Sequence, residues 1–314
     1  MEQRRLGNSG LYVSEVGIGC NNFGGRIDAA ATRAVVDAAL DQGINFFDTA
    51  DVYGGQQSES LLGEALGGRR PDVVIATKFA MATGPTPQDR GGSRRYVRRA
   101  VEASLRRLGT DYIDLYQMHQ PDPATPIEET LSVLDDLVRE GKVRYVGHSN
   151  FAGWQIADAD WTARSRGWTP FVTAQNHYSL LERAVRHEVL PACERFGLGM
   201  LPYFPLASGL LTGKYARAGE PPAGTRLALA EGLARRTLTE RNFDRVEALT
   251  AFAEARGRSL VELAFCWLLS QDVISSVIAG ATSPEQVAAN AAAASDWRLD
   301  ADDMAAVAGL LRDA

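Results

Sequence analysis

Cysteine is scarce in this chain of 314 residues, with three in all (Cys20, Cys193 and Cys266) set far apart. That spacing forms neither a disulfide framework nor a metal knuckle, and a reducing compartment is the natural setting. Positive charge is not in excess. The net charge is −6 and the pI about 5.4, which argues against nucleic acid or an anionic membrane as partner. No apolar run is long enough to span a bilayer. The opening residues, Met1–Glu2–Gln3–Arg4–Arg5, lack the apolar core of an export signal, so a soluble, cytoplasmic protein is expected. No low-complexity linker divides the chain, and residues 1–314 read as one domain. Apolar residues at 45% and charged residues at 23% are ample for a packed core.

What is present is a repeated sentence: amphipathic helix, glycine, short apolar strand, polar loop. Ala29–Asp41 ends at Gly43 before Asn45–Asp48, and Tyr96–Leu108 ends at Gly109 before Ile113–Gln117. Ile127–Glu140 ends at Gly141 before Val143–Gly147, and Ile156–Arg166 at Gly167 before Phe171–Gln175. Ala184–Phe196 ends at Gly197 before Gly199–Phe204. Glycine just past a helix is a cheap left-handed cap. Val16–Gly19, Val73–Thr77 and Ser276–Ala279 complete eight strands. Their continuous apolar character suits a parallel sheet covered on both faces, and eight βα units favour a closed (β/α)8 TIM barrel. An N-terminal hairpin (Arg4–Leu6, Leu11–Val13) precedes them. Thr125–Glu128 and Ser259–Glu262 carry capping-box spacing. The connection after strand 7 exceeds fifty residues and includes a charged, helical stretch, Leu233–Arg256, of the kind that forms a lid. A last helix, Asp302–Leu311, follows Asp300.

Chemistry-bearing residues fall at the strand ends, where a barrel builds its active mouth. Asp48 ends the second strand, with Tyr53 five residues on; Lys78 follows the third and His119 the fourth. Ser149–Asn150 and Gln175–Asn176 follow the next two. A tyrosine serves as a proton donor when a neighbouring ammonium lowers its pKa, and Asp48 would hold Lys78 charged. His119 would orient a substrate oxygen. Such a set protonates a carbonyl oxygen while a hydride arrives from a bound nicotinamide or flavin. A lone ionisable group at a strand end is more often structural; four on consecutive strands are not. Asp51 reads as a turn or cap residue, His148 and His177 as core or rim, and His187 as a structural residue inside a helix.

With Gly43–Ile44–Asn45–Phe46–Phe47–Asp48–Thr49–Ala50 and Tyr53, Thr77–Lys78, Ser149–Asn150, Pro205–Leu206–Ala207 and Gly213–Lys214–Tyr215, the chain resembles the aldo-keto reductases. The resemblance runs over nearly its whole length and is nearest the branch of potassium-channel β-subunits and related bacterial enzymes. It implies Asp48, Tyr53, Lys78 and His119 as the catalytic tetrad. The channel branch has asparagine at the position of His119. The resemblance also implies NADP(H), with NADH as an alternative, bound without a Gly-rich Rossmann turn, and no metal. By matching motif, Ser149, Asn150 and Gln175 would hold the nicotinamide carboxamide and Tyr203 would stack on the ring. Phe204, Pro205, Leu206, Ala207, Ser208, Gly209 and Lys214 would follow the pyrophosphate, Phe204 replacing a common serine. Gly19, Cys20, Asn21 and Arg26 would flank the cofactor together with Asp48, and Arg226 would supply charge. Gly280, Thr282, Gln286 and Asn290 would meet the far end, where Ser283–Pro284 opens a helix. Phe23 and Phe79, beside Asn21, Asn22 and Met81, would wall the substrate pocket with Tyr53 and His119. The function implied is reduction of a small aldehyde or ketone. The alternative is a regulatory subunit that senses redox state through bound NADP(H). A lyase or isomerase lacks support from any metal cluster or carboxylate pair. A homo-oligomer fits the channel branch.

Overall fold

The computed structural model describes residues 1–311. An antiparallel hairpin, β1 (Gln3–Arg5) with β2 (Tyr12–Ser14), leads into eight parallel strands. These are β3 (Val16–Gly19), β4 (Phe46–Asp48), β5 (Val74–Phe79), β6 (Ile113–Met118), β7 (Val143–Ser149), β8 (Thr173–Gln175), β9 (Gly199–Met200) and β10 (Val277–Gly280). They pair in chain order, and β10 returns beside β3. Parallel bridges from Met200 to Ile274 and from Tyr203 to Ile278 bring the two ends together. The sheet is thus a (β/α)8 barrel.

The strands are buried on both faces, and their period of two sorts the side chains. Val74 and Ala76 join Phe46, Leu115, Leu201 and Ile278 inside the barrel. Ile75, Phe47, Val146 and Ala174 pack outward against the helices. By the same alternation Asp48, Lys78, Gln117 and Gln175 point into the upper end of the barrel. Leu6 and Val13 of the hairpin close the lower end. Gly7 there has φ +57, and a Cβ would lie 2.3 Å from the Val172 carbonyl oxygen, so only glycine lets the hairpin seat so closely.

The helices are α1 (Ala29–Asp41), α2 (Ser58–Leu66), α3 (Arg94–Leu108), α4 (Ile127–Arg139), α5 (Gly153–Arg166) and α6 (Val189–Phe196). Then come α7 (Arg226–Leu229), α8 (Glu231–Thr237), α9 (Glu240–Glu254), α10 (Leu260–Leu269), α11 (Pro284–Ala293) and α12 (Ala301–Leu310). Among the described residues no helix is long and apolar enough to cross a membrane.

Several sequence expectations are corrected. The hairpin strands sit one residue away from the expected positions. The expected helix over 184–196 is a 3-10 turn at Ala184–Arg186 and then α6, so His187 lies between helices. Pro191, lacking an N–H, fits only the first turn of a helix and sets the start of α6. Thr125 does not cap α4; Pro126 is the N-cap residue, and the Thr125 hydroxyl donates to Asp122 at 2.7 Å. The Leu233–Arg256 stretch is broken between α8 and α9, where the Thr239 side chain accepts from Asn242 N. Helix α2 was not expected, and no side chain caps its start.

Candidate active site

Strand β4 delivers Asp48 and β5 delivers Lys78, the one short of the mouth and the other beside it. The Lys78 ammonium donates to Asp48 Oδ2 at 2.6 Å, to the Thr49 carbonyl at 2.9 Å and to the Tyr53 hydroxyl at 3.5 Å. Lys78 is wholly buried, so this pairing is what keeps the charge tolerable. Burial alone would lower the Lys78 pKa, but the carboxylate of Asp48 and the hydroxyl of Tyr53 hold it above the ordinary lysine value. Tyr53 and His119 meet edge to face, ring centroids 5.6 Å apart. The four residues expected as a tetrad are therefore brought together.

Burial raises the Tyr53 pKa above its usual value, and the pull of Lys78 in the other direction does not overcome it. The expected net lowering is absent, and the hydroxyl carries its proton at neutral pH. Burial, reinforced by Lys78, pushes His119 down to about 3, so its imidazole is neutral. Its Nδ1 is buried without a hydrogen-bond partner. A proton placed there would be an unsatisfied buried donor, so the N–H belongs on Nε2, towards the mouth.

The next strands add a polar arc. Ser149 Oγ donates to the Gln175 carbonyl at 2.7 Å. Asn150, held at φ +62, donates through Nδ2 to the His119 carbonyl at 2.9 Å and to Ser149 Oγ at 3.0 Å. The Tyr203 hydroxyl donates to Asn150 Oδ1 at 2.9 Å. His177 lies parallel to the Tyr203 ring at 5.5 Å. Gln175 Nε2 donates to Asp48 Oδ1 at 3.0 Å, which links this arc to the tetrad.

Past Tyr203 the chain turns sharply through Pro205 and Leu206. Phe204, Ala207, Ser208 and Gly209 all have positive φ, at 55, 47, 58 and 94°. Two N–H groups of this turn are taken within it, that of Ala207 by the Phe204 carbonyl at 2.9 Å and that of Gly209 by the Leu206 carbonyl at 2.8 Å. A Cβ on Gly209 would lie 2.9 Å from Lys214 Nζ, so glycine leaves room for that ammonium over the turn. Arg226, at the start of α7, lies 4.8 Å above the Phe204 ring. Burial and the nearby Arg26 lower its pKa, and Arg26 itself donates to the Gly224 carbonyl at 2.6 Å.

At the far side, Thr282 N and Oγ1 both donate to Gln286 Oε1, at 2.9 and 3.1 Å. Ser283 Oγ accepts from Gln286 N at 3.4 Å, and Asn290 Nδ2 reaches the Gly280 carbonyl at 3.5 Å. Asn22 bridges from the first loop to the Ala281 carbonyl at 3.1 Å, next to the half-buried Asn21. Gly19 pairs with Gly280. Cys20 is buried, its Sγ 3.5 Å from the Ile18 carbonyl, and burial with the charge of Asp48 pushes its thiol up.

Two expected pocket walls are not at the mouth. Phe79 follows inward-pointing Lys78 and so faces outward; it is fully buried against Tyr116 at 4.7 Å. Phe23 is also fully buried in the outer core. Two polar groups lie near the tetrad, Gln117 not singled out by the sequence and Asp51 read from it only as a turn or cap residue. Gln117 is hidden inside an apolar run, and its Nε2 donates to Asp48 Oδ1 at 3.2 Å. Asp51 is nearly inaccessible: it accepts from the Tyr96 hydroxyl at 3.1 Å, and burial followed by repulsion from Glu59 raises it to about 7.

This geometry agrees with what comparison by sequence finds. Residues 15–312 match the model of the Aldo/keto reductase family. The chain belongs to that family. This aldo/keto reductase family member is 41% identical over 298 residues to the uncharacterized oxidoreductase YrpG of Bacillus subtilis (strain 168), covering 91% of this chain and 89% of that one. It is 39% identical over 297 residues to a probable voltage-gated potassium channel subunit beta of Oryza sativa subsp. japonica, covering 92% and 90%. An L-glyceraldehyde 3-phosphate reductase of Escherichia coli (strain K12) is 34% identical over 320 residues, covering 98% and 91%. Kinship of this kind supports general reductase activity and the small carbonyl substrates and nicotinamide cofactor typical of the family. Among the described residues no cluster of His, Cys, Asp or Glu could hold a metal.

Proposed function

We propose that this protein is an NADP(H)-dependent carbonyl reductase in which Tyr53 protonates the carbonyl oxygen of an aldehyde or ketone. The observation that carries this reading is the chain Asp48–Lys78–Tyr53 beside a neutral His119. A reduced nicotinamide, when bound, supplies the hydride to the carbonyl carbon. Ser149, Asn150 and Gln175 offer the amide and hydroxyl groups for its carboxamide, and Tyr203, backed by His177, the aromatic platform. The ammonium of Lys214, beside the left-handed turn at 207–209, suits a pyrophosphate. Arg226 and Arg26 suit a further phosphate and favour NADPH over NADH. Gly280, Thr282, Gln286 and Asn290 flank the far end.

In this site Tyr53 holds the proton and His119 Nε2–H donates a second hydrogen bond to the same oxygen. Lys78 stabilises the phenolate left behind, and Asp48 keeps Lys78 charged and fixed. The walls of the substrate pocket include Tyr53 and His119, and the long connection after β9 reaches the loop after β3 through the Arg26–Gly224 contact. A second reading, a cofactor-binding regulatory subunit with slow turnover, draws on likeness to the rice channel subunit; His119 favours the enzyme.

Oxidation of NADPH by the purified protein with 4-nitrobenzaldehyde tests the proposal. Tyr53→Phe, which removes one hydroxyl, is expected to slow turnover by ~10²–10⁴-fold while cofactor binding, read from tryptophan fluorescence, is kept. Unchanged turnover in the variant would remove Tyr53 as the acid. Tight cofactor binding without turnover in the wild type would favour the regulatory reading.

A further inference from the structure

Asp48 is held from two sides. Its Oδ2 takes the Lys78 ammonium, while Oδ1 takes two side-chain amides, Gln175 at 3.0 Å and Gln117 at 3.2 Å. All four side chains are buried. The two amides are not equivalent. Gln175 lies in the polar arc with Ser149 and Asn150, where the cofactor's amide is placed by the reading above. Gln117 lies deeper, one strand from Lys78, with no cofactor group assigned to it.

The orientation of Gln117 is set by Asp48, whose carboxylate can only accept, and its oxygen has a second neighbour. The Thr173 hydroxyl approaches Gln117 Oε1 at 3.4 Å. An amide turned over would set its oxygen against the carboxylate, so the N–H faces Asp48 and the oxygen faces Thr173, whose hydroxyl can donate to it. Gly147, between Gln117 and Thr173 on the intervening strand, makes this line of contact possible. A Cβ there would fall 2.0 Å from Thr173 Oγ1 and 3.3 Å from Gln117 Cγ. Three strands thus cooperate to aim one N–H at one carboxylate oxygen.

We propose that Gln117, supported by Thr173, is a positioning residue that holds Asp48 on Lys78 whatever hydrogen bonds Gln175 makes to a bound cofactor. A carboxylate with a fixed donor on Oδ1 keeps Oδ2 aimed at the ammonium, and the ammonium stays aimed at Tyr53. Without Gln117, the carboxylate depends on Gln175 alone. The cofactor then competes for the group that orients the acid.

The proposal rests on the reductase reading for its kinetic arm and stands without it for its structural arm. Gln117→Leu keeps the volume and removes the donor; Thr173→Val removes the supporting hydroxyl. In the kinetic arm, Gln117→Leu is expected to lower kcat for NADPH-dependent carbonyl reduction by ~10–100-fold. The alkaline limb of its pH profile moves, while NADPH affinity stays within about twofold. Thr173→Val follows in the same direction with a smaller loss. In the structural arm, the 15N-labelled Lys78 ammonium of the cofactor-free protein, assigned by its loss in Lys78→Met, is read by NMR. It is expected to be slow-exchanging in the wild type and broadened in Gln117→Leu. An unmoved Lys78 signal with unaltered kcat and pH profile would overturn the proposal. If the wild type shows no Tyr53-dependent turnover, the reductase reading fails, and the Lys78 signal alone decides: broadening sustains the role of Gln117 and an unmoved signal overturns it.

Discussion

Asp51 and His148 show how burial sets the charge of single residues outside the proposed tetrad. Asp51 is raised to about 7 by burial and by Glu59. The folded protein therefore keeps a proton there that the unfolded chain releases above about 4. The associated stability is full below that point and is lost as pH rises through 7. Asp51→Asn, neutral at every pH, is expected to stabilise the protein by up to about 4 kcal/mol at pH 8 and hardly at all near pH 4. Urea unfolding at the two values checks this, and an equal effect at both would refute it. His148 behaves in the opposite sense. It is fully buried, stacked 4.4 Å from Phe151, and burial lowers it to about 3. Below about 6.5 the unfolded chain takes up a proton that the folded state refuses, so stability falls as pH drops from there towards 3. His148→Leu should remove about 2 kcal/mol of the loss between pH 7.5 and 5. The comparison is variant against wild type, since Asp51 titrates with opposite sign over the same range. An identical pH slope in both proteins would contradict it. The sequence named Asp48, Tyr53, Lys78 and His119 because they fall at or shortly after the ends of successive apolar strands. It missed Gln117 because a polar side chain aimed into a barrel interrupts the apolar run no more than any other single residue.

Elements were legible to the extent that their ends were marked. The parallel strands read through because burial on both faces leaves them apolar without alternation, and αL glycines such as Gly109 and Gly167 close the preceding helices. Helix α10 was announced by its capping box, and Ser259 N and Glu262 N are each satisfied by the other's side chain. Ser259→Ala is expected to cost about 1 kcal/mol in a urea titration and to leave cofactor affinity untouched; a change below a few tenths would show that tertiary packing of Trp267 and its neighbours fixes that end instead. Helix α2 was silent, since Gln57 at its start makes no side-chain cap. In the region after β9, a continuous charged pattern concealed the break at Thr239. Arg217 there meets Glu240, Asp244 and Glu247 along one face of α9, a bridging role that charge pattern alone could not assign.

At the scale of the whole molecule, barrel closure is what converts scattered strand ends into one site. Residues as far apart as Asp48 and Gln175 touch because β4 and β8 face each other across the interior, a relation that no local periodicity contains. The fold class follows from counting βα units; the contacts across the mouth follow from shear and register, which the sequence does not spell out. The central claim is that this mouth reduces a carbonyl by direct hydride delivery with Tyr53 as the proton donor. The most direct measurement supplies NADPH deuterated on both C4 positions together with 4-nitrobenzaldehyde in ordinary water, and analyses the alcohol by mass spectrometry. One deuterium on the carbinol carbon, formed by the wild type and nearly absent with Tyr53→Phe, is the predicted result. An alcohol without deuterium, or the same yield from the variant, would contradict the account.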